Sequence, residues 1–234
     1  MKGLLSQRNI NDIVIFSEKT LLFSEKIINN KLMQSIEKKI LSKIYGHAKG
    51  WSFTANDFSR DFKRDNVDKA LSTLLEKDKI KRATRGVYYF PKYSELLKQE
   101  LSPDIDQVAQ AIARKFNWRI QASGDAALNL LGLSTQVPSK YTYLSDGPDR
   151  SYQIGKTTLT FKKSVLKDIG FKHKESGLIV HALKALGKDR IDNNIIDKIR
   201  NQIDSKKHKK IMEDTKTVTS WVYETIRKIC DGSS

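Results

Sequence analysis

The chain has 234 residues and only one cysteine, Cys230, which rules out an internal disulfide framework and a cysteine-based zinc site. A lone thiol near the C-terminus fits a reducing compartment and reads as a half-buried helix residue. Long apolar runs are also missing, since no stretch approaches the ~20 residues that a bilayer-spanning helix needs. Near the start, Ile13–Phe16 and Leu21–Phe23 are split by Ser17-Glu18-Lys19, so the apolar core of a signal peptide is absent. The expectation is a soluble, cytoplasmic protein that is not a membrane partner. Histidine is scarce: His47, His173, His181 and His208 lie in separate segments with no ligand spacing, so no metal site is expected.

Motifs for catalysis are lacking too. Gly155-Lys156-Thr157 looks like the end of a phosphate-binding loop, but the first glycine of that motif would fall on Arg150. The segment also runs from strand to strand, whereas a phosphate loop presents its amides at the start of a helix. No Gly-Ser followed by Asp-x-Asp marks a nucleotidyltransferase. Asp146 and Asp149 fall in a turn, where aspartate is expected for its local hydrogen bonds. The sequence therefore predicts no enzyme and no cofactor. The enzyme alternative gathers scattered residues such as Asp125, Asp146 and Lys156.

Acidic residues are outnumbered, 27 against 43 basic, giving a formal net charge of +16 and a pI near 9.7. The excess is uneven: +2 over residues 1–32 (5 basic, 3 acidic), +7 over 33–98 (15 and 8), +1 over 99–162 (7 and 6) and +6 over 163–234 (16 and 10). A polyanion is attracted to such a chain at low salt. A charge excess by itself is more often a solvated surface, and this is also the better reading of the cluster Lys206, Lys207, Lys209 and Lys210.

The basic segment 33–98 carries its own punctuation. Ile36, Ile40, Leu41 and Ile44 recur at helical spacing, and Gly46 is a stop. Thr54 with Asp57 is an acidic capping pattern predicted to open a second helix, with Ala55, Phe58 and Phe62 on one face. Asp65 with Asp68 repeats the signal for a third helix, which turns Val67, Leu71, Leu74 and Leu75 inward and leaves Asn66, Lys69, Ser72, Thr73 and Glu76 outside. Ile80–Ala83 and Val87–Phe90 then read as strands around Thr84-Arg85-Gly86, with Arg82 and Arg85 at or near the tip. Three helices followed by a basic hairpin spell a winged helix-turn-helix.

Leu101-Ser102-Pro103-Asp104 begins a new unit. A helix from Asp104 to Phe116 is expected, then a strand at Trp118–Gln121. A capped helix follows at Ala126–Leu131, and further strands at Lys140–Leu144, Tyr152–Ile154 and Thr157–Phe161. From Ser164 the pattern is helical at Val165–Ile169, Gly177–Leu186, Asn193–Ile203 and Val218–Ile229. The predicted fold class is α+β. Its divisions are an N-terminal extension (1–32), a winged helix (33–98), a small α+β domain (99–163) and a helical bundle (164–234). Met33 also reads as an alternative natural start.

The stretch from Ile36 to about Lys163 resembles the AbiEi family of bacterial type IV antitoxins. The resemblance lies in Ile44-Tyr45-Gly46-His47-Ala48-Lys49-Gly50-Trp51-Ser52-Phe53, in Arg85-Gly86-Val87-Tyr88-Tyr89, and in Ser123-Gly124-Asp125-Ala126-Ala127-Leu128-Asn129-Leu130-Leu131-Gly132-Leu133 followed by Pro138 and Tyr141–Ser145. It covers a little over half the chain. It implies a winged helix that binds inverted repeats in its own promoter as double-stranded DNA, and a remainder that opposes a nucleotidyltransferase toxin without requiring a stable complex. Docking geometry then assigns Asn66, Lys69 and Thr73 to base edges, and Arg64, Lys81, Arg82 and Arg85 to phosphates or a narrow minor groove. No heptad argues for a dimer, so the expectation is a monomer on repeated sites. The alternatives are a stand-alone regulator without a toxin and a protein-docking module.

Overall fold

The computed structural model describes residues 29–136 and 138–231. Residues 1–28, which hold most of the expected extension, lie outside them. The fold is mixed α+β. Residues 29–45 are helical (α1), so this helix begins earlier than its apolar spacing marked, and it buries Ile36, Ile40 and Ile44. Its end is closed by the Gly46 N–H, which donates to Ser42 O at 3.0 Å.

The next two elements differ from expectation. Strand β1 (Ser52–Phe53) precedes Thr54, and the helix predicted after Thr54 is a single 3-10 turn, Ala55–Phe58. The capping carboxylate does act: Asp57 Oδ2 accepts from Thr54 N at 2.8 Å and from Thr54 Oγ1 at 3.3 Å. The residues that follow, Ser59, Arg60, Asp61 and Phe62, are mostly weak helix formers, and the chain turns instead of propagating. Helix α2 (Arg64–Glu76) is capped by Lys63 in extended conformation; Asp65 sits inside the first turn and does not cap it. Val67, Ala70, Leu71 and Leu74 are buried and Leu75 is half-buried. Asp78 then takes a left-handed φ of 56°, with Asp78 N donating to Leu75 O and Lys79 N to Leu74 O, a helix-ending pair of bonds.

A hairpin forms where it is expected, with Thr84 in the first strand rather than in the turn and the second strand ending one residue earlier. Strands β2 (Lys81–Thr84) and β3 (Val87–Tyr89) pair antiparallel with Arg82 opposite Tyr88 and Thr84 opposite Val87, and an irregularity falls between Arg82 and Thr84. Gly86 supplies the φ of +72° that the Arg85-Gly86 turn requires. Strand β1 joins as the third strand, in the order β1-β3-β2. A small hairpin that the sequence did not mark follows, β4 (Tyr93–Ser94) with β5 (Gln99–Glu100).

The second unit opens with α3 (Ile105–Phe116). Asp104 caps it by accepting from Asp106 N at 2.8 Å and Gln107 N at 3.2 Å. Strands β6 (Ile120–Ser123), β7 (Lys140–Ser145), β8 (Arg150–Ile154) and β9 (Thr157–Lys163) form one sheet in the order β6-β7-β9-β8, with β7 and β9 parallel and the other pairs antiparallel. Helix α4 (Asp125–Leu130) lies between β6 and β7 in sequence. Helices α5 (Leu166–Ile169), α6 (Lys174–Leu186), α7 (Asn193–Asn201), α8 (His208–Asp214) and α9 (Ser220–Asp231) complete the chain. No break in the core separates 99–163 from 164–231. Leu159 and Phe161 of the sheet, Ile179 and Leu183 of α6, and Val222 and Ile226 of α9 belong to one buried cluster. Helix α6 approaches β6 so closely at Gly177 that a Cβ there would lie 2.2 Å from Gln121 Oε1.

Candidate nucleic-acid interface

Helix α2 presents the residues that the sequence placed outward. Lys69 and Ser72 are exposed, and Asn66 and Thr73 are half-buried. Thr73 Oγ1 donates to Lys69 O at 3.1 Å, so its hydroxyl is turned along the helix. On the hairpin, Arg85 stands exposed at the turn, and Arg82 is exposed with its guanidinium 5.8 Å from the centre of the Tyr88 ring. Among the described residues, Lys69, Arg82 and Arg85 meet no carboxylate within salt-bridge distance.

The remaining two predicted cations are already engaged. Arg64 Nε pairs with Asp68 Oδ2 at 2.8 Å, one turn along α2, and Arg64 Nη1 donates to Asn56 Oδ1 at 2.8 Å. Lys81 lies between Asp78 Oδ1 at 2.5 Å and Glu100 Oε2 at 3.3 Å. Those two partners, Asp78 first, hold its ammonium above the usual lysine range. The sequence did not show the second partner because Glu100 arrives through the unmarked β4–β5 hairpin.

The hairpin is fastened rather than free. Val87 is fully buried in the core of the second unit, and Ala83 packs against that core. Arg114, near the end of α3, donates from Nε to Asp57 Oδ1 at 2.7 Å and from Nη2 to Ser52 O at 2.8 Å. Asn56 Nδ2 reaches Lys115 O at 3.1 Å. The basic hairpin is therefore tied to the sheet's buried cluster, whereas α2 packs in a second cluster with α1, β1 and the 3-10 turn.

Of the residues of the enzyme alternative, Asp125 and Lys156 fall at one end of the sheet and Asp146 at the other. Lys156 lies in the β8–β9 turn, at the start of β7, whereas Asp146 follows the end of β7. Six residues of strand separate those ends, roughly 20 Å. Asp146 Oδ1 accepts from Arg119 N at 2.9 Å and Asp149 Oδ1 from Lys163 N at 2.6 Å, the structural use expected of turn aspartates. A cleft of about 1000 Å³ beside Lys156 is lined also by His47, Lys49, Trp51 and Lys92. Both aspartates in its wall are committed. Asp104 caps α3, while Asp106 accepts from Tyr143 Oη at 2.9 Å and Lys174 Nζ at 2.8 Å. Burial and then the Asp106 carboxylate push the Tyr143 phenol far above its ordinary range, as expected of a buried, satisfied tie between β7, α3 and α6.

His47 stacks on Trp51 with ring centres 3.7 Å apart, and His208 Nδ1 lies 2.9 Å from Cys230 O. Among the described residues, no group of three or more histidine, cysteine, aspartate or glutamate side chains could hold a metal ion. None of the described helices is long and apolar enough to cross a membrane.

The chain belongs to DUF6088, a family of unknown function, whose pattern matches residues 39–211. The match runs from α1 through the hairpin and the sheet into α8 without interruption. No curated protein matches the chain. Among solved structures, the chain is similar to the RV2827C protein from Mycobacterium tuberculosis, at 10% sequence identity and a TM-score of 0.38, over 84% of this chain and 76% of that one.

Proposed function

We propose that residues 33–98 are a winged helix-turn-helix that binds double-stranded DNA, and that the protein is an autorepressing antitoxin of the AbiEi kind that opposes a nucleotidyltransferase toxin. The observation that carries the DNA-binding half is the division of the cations. Carboxylates neutralise Arg64 and Lys81, while Lys69 on the exposed face of α2 and Arg82 and Arg85 on the hairpin are left for an external anion. In this reading α2 enters the major groove. Asn66 pairs with adenine, Lys69 donates to guanine, and Thr73 borders the groove. Arg82 and Arg85 meet phosphate or a narrow minor groove. Arg64 and Lys81 contribute less, because each would first have to release its partner.

The antitoxin half rests on the resemblance of Ser123–Leu133 and Tyr141–Ser145 to the antitoxin core, and opposing the toxin requires no stable complex. One observation favours a second reading, a protein-docking module. Leu96 and Leu97, between β4 and β5, are strongly exposed, Leu96 at 91%.

Gel shifts over a salt series on variants of the chain's own upstream DNA test the proposal. Lys69→Ala is expected to change which sequences are preferred. Arg85→Ala is expected to weaken binding to every duplex and to reduce the salt slope by about 1. Two variants that behave alike, or that both bind as the parent does, would overturn these roles. A parent that binds no duplex would favour the docking module.

A further inference from the structure

We propose that the DNA-contacting surface continues past the wing into the second unit, where Lys115 at the end of α3 and Arg150 at the start of β8 form a phosphate-binding strip. This rests on the DNA-binding reading above and extends its footprint beyond the winged helix.

Position is the first support. The wing tip lies against the end of α3: a Cβ on Gly86 would stand 3.4 Å from Lys115 Nζ, and Arg85 is the adjacent residue. Val87 and Ala83 are seated on the second unit's core, so the hairpin that bears the two arginines is packed against the unit that bears the two cations of the strip. A duplex that reaches Arg85 meets Lys115 next.

Chemistry is the second. Phe116 and Trp118 stack with ring centres 4.8 Å apart and an interplanar angle of 23°. The Arg150 guanidinium lies 4.8 Å from the Phe116 centre and 5.5 Å from the Trp118 centre, and Lys115 Nζ lies 5.2 Å from Phe116. A guanidinium held against ring faces keeps its N–H edge directed outward, in the fork geometry that matches a phosphate, and loses little freedom on binding one. Arg150 is exposed and Lys115 half-buried, and among the described residues neither has a carboxylate within salt-bridge distance. The neighbouring acids are turned elsewhere: Asp149 and Asp146 to the main chain at Lys163 and Arg119, and Asp57 to Arg114. Charge is thus concentrated here without local neutralisation, although residues 99–162 are nearly neutral overall.

The test measures dissociation constants for the parent and for K115Q/R150Q on two duplexes of equal length, the chain's own upstream DNA and a scrambled sequence. Salt runs from about 50 to about 200 mM. Each phosphate contact contributes about 0.9 to the salt slope, so losing two lowers it by about 2 and shrinks the affinity lost across this range by roughly tenfold. The variant is expected to weaken both duplexes by the same factor and so keep the specificity ratio, with R150K falling between it and the parent. Parent-like affinity and slope in K115Q/R150Q would overturn the strip while leaving the winged-helix reading intact. A parent that binds neither duplex would overturn both. Because Arg150 also packs on two rings, K115E is measured alongside as a variant that leaves that stack in place. A parent-like slope in a fully folded K115E counts against the strip, and a reduced slope supports it.

Discussion

Removing the Asp57 carboxylate tests how firmly the N-terminal unit is fastened to the sheet. Asp57→Ala removes the bonds to two partners at once, Thr54 and Arg114. Thr54, only 2% exposed, loses the acceptor for its N–H; loss of such a cap costs about 1 kcal/mol. Arg114 loses the 2.7 Å bond from its Nε. Bonds to charged groups reach about 1.5–3 kcal/mol. The Arg114 side chain, however, is 42% exposed and keeps its second bond to Ser52 O, so about 1 kcal/mol is the better figure. The total is about 2 kcal/mol, which for a chain of this size lowers Tm by roughly 4–8 °C. Urea denaturation of the parent, Asp57→Ala, Arg114→Ala and the double variant measures both parts, with an expected coupling of about 1 kcal/mol between the two positions. A loss under about 0.5 kcal/mol, or no coupling, would show that the Asp57–Arg114 bond does not fasten the two units. The N-terminal unit has its own buried cluster, so a parent that unfolds in two separate transitions would show that the Arg114 bonds and the Val87 contact do not couple it to the sheet.

Gly147→Ala would place a Cβ 2.2 Å from Trp118 Cε2. The indole is confined by Phe116 and Phe161, so overpacking should cost about 1–3 kcal/mol, and an unchanged melting curve would contradict that confinement. Burial pushes the His181 imidazole below its ordinary range; its Nε2–H donates to Asp168 O at 2.8 Å, which offsets the shift in part, and Lys184 adds to it. The unfolded imidazole takes up a proton where the folded one does not. This contribution to stability is therefore full above about pH 6.5 and declines as the pH falls below that value. His181→Gln should flatten that portion of the pH–stability curve, and an identical slope in the variant would place the titration elsewhere.

Legibility followed the range of the interactions. The β2–β3 hairpin, α3 with its Asp104 cap, and the strands β7, β8 and β9 were readable because local period and turn chemistry specify them. Gly86 and Gly155 each mark a turn that only a residue tolerant of positive φ takes easily. The Thr54 signal was read correctly as a cap but not as a 3-10 turn. Capping fixes where a helix starts, while its length depends on the residues that follow and on the Arg114 contact from 57 positions away. Helical periodicity places Lys69 outward and the turn signal places Arg82 and Arg85 at or near the hairpin tip, and all three are exposed. The pairing of Lys81 with Glu100 was hidden, because β4 and β5 are two residues each and carry no apolar pattern. Lys115 left a faint trace in the Arg114-Lys115-Phe116-Asn117-Trp118 run, where two basic residues precede two aromatics, and Arg150 left none. Only the β8–β9 register brings Arg150 opposite Phe161 and beside those rings.

Sequence-specific DNA binding is decided by a gel shift of the purified chain on its own upstream DNA, with scrambled duplex of equal length as competitor at near-physiological salt. Discrete shifted bands that survive the competitor are the predicted result. Bands that the competitor removes completely, or no shift on either duplex, would contradict it.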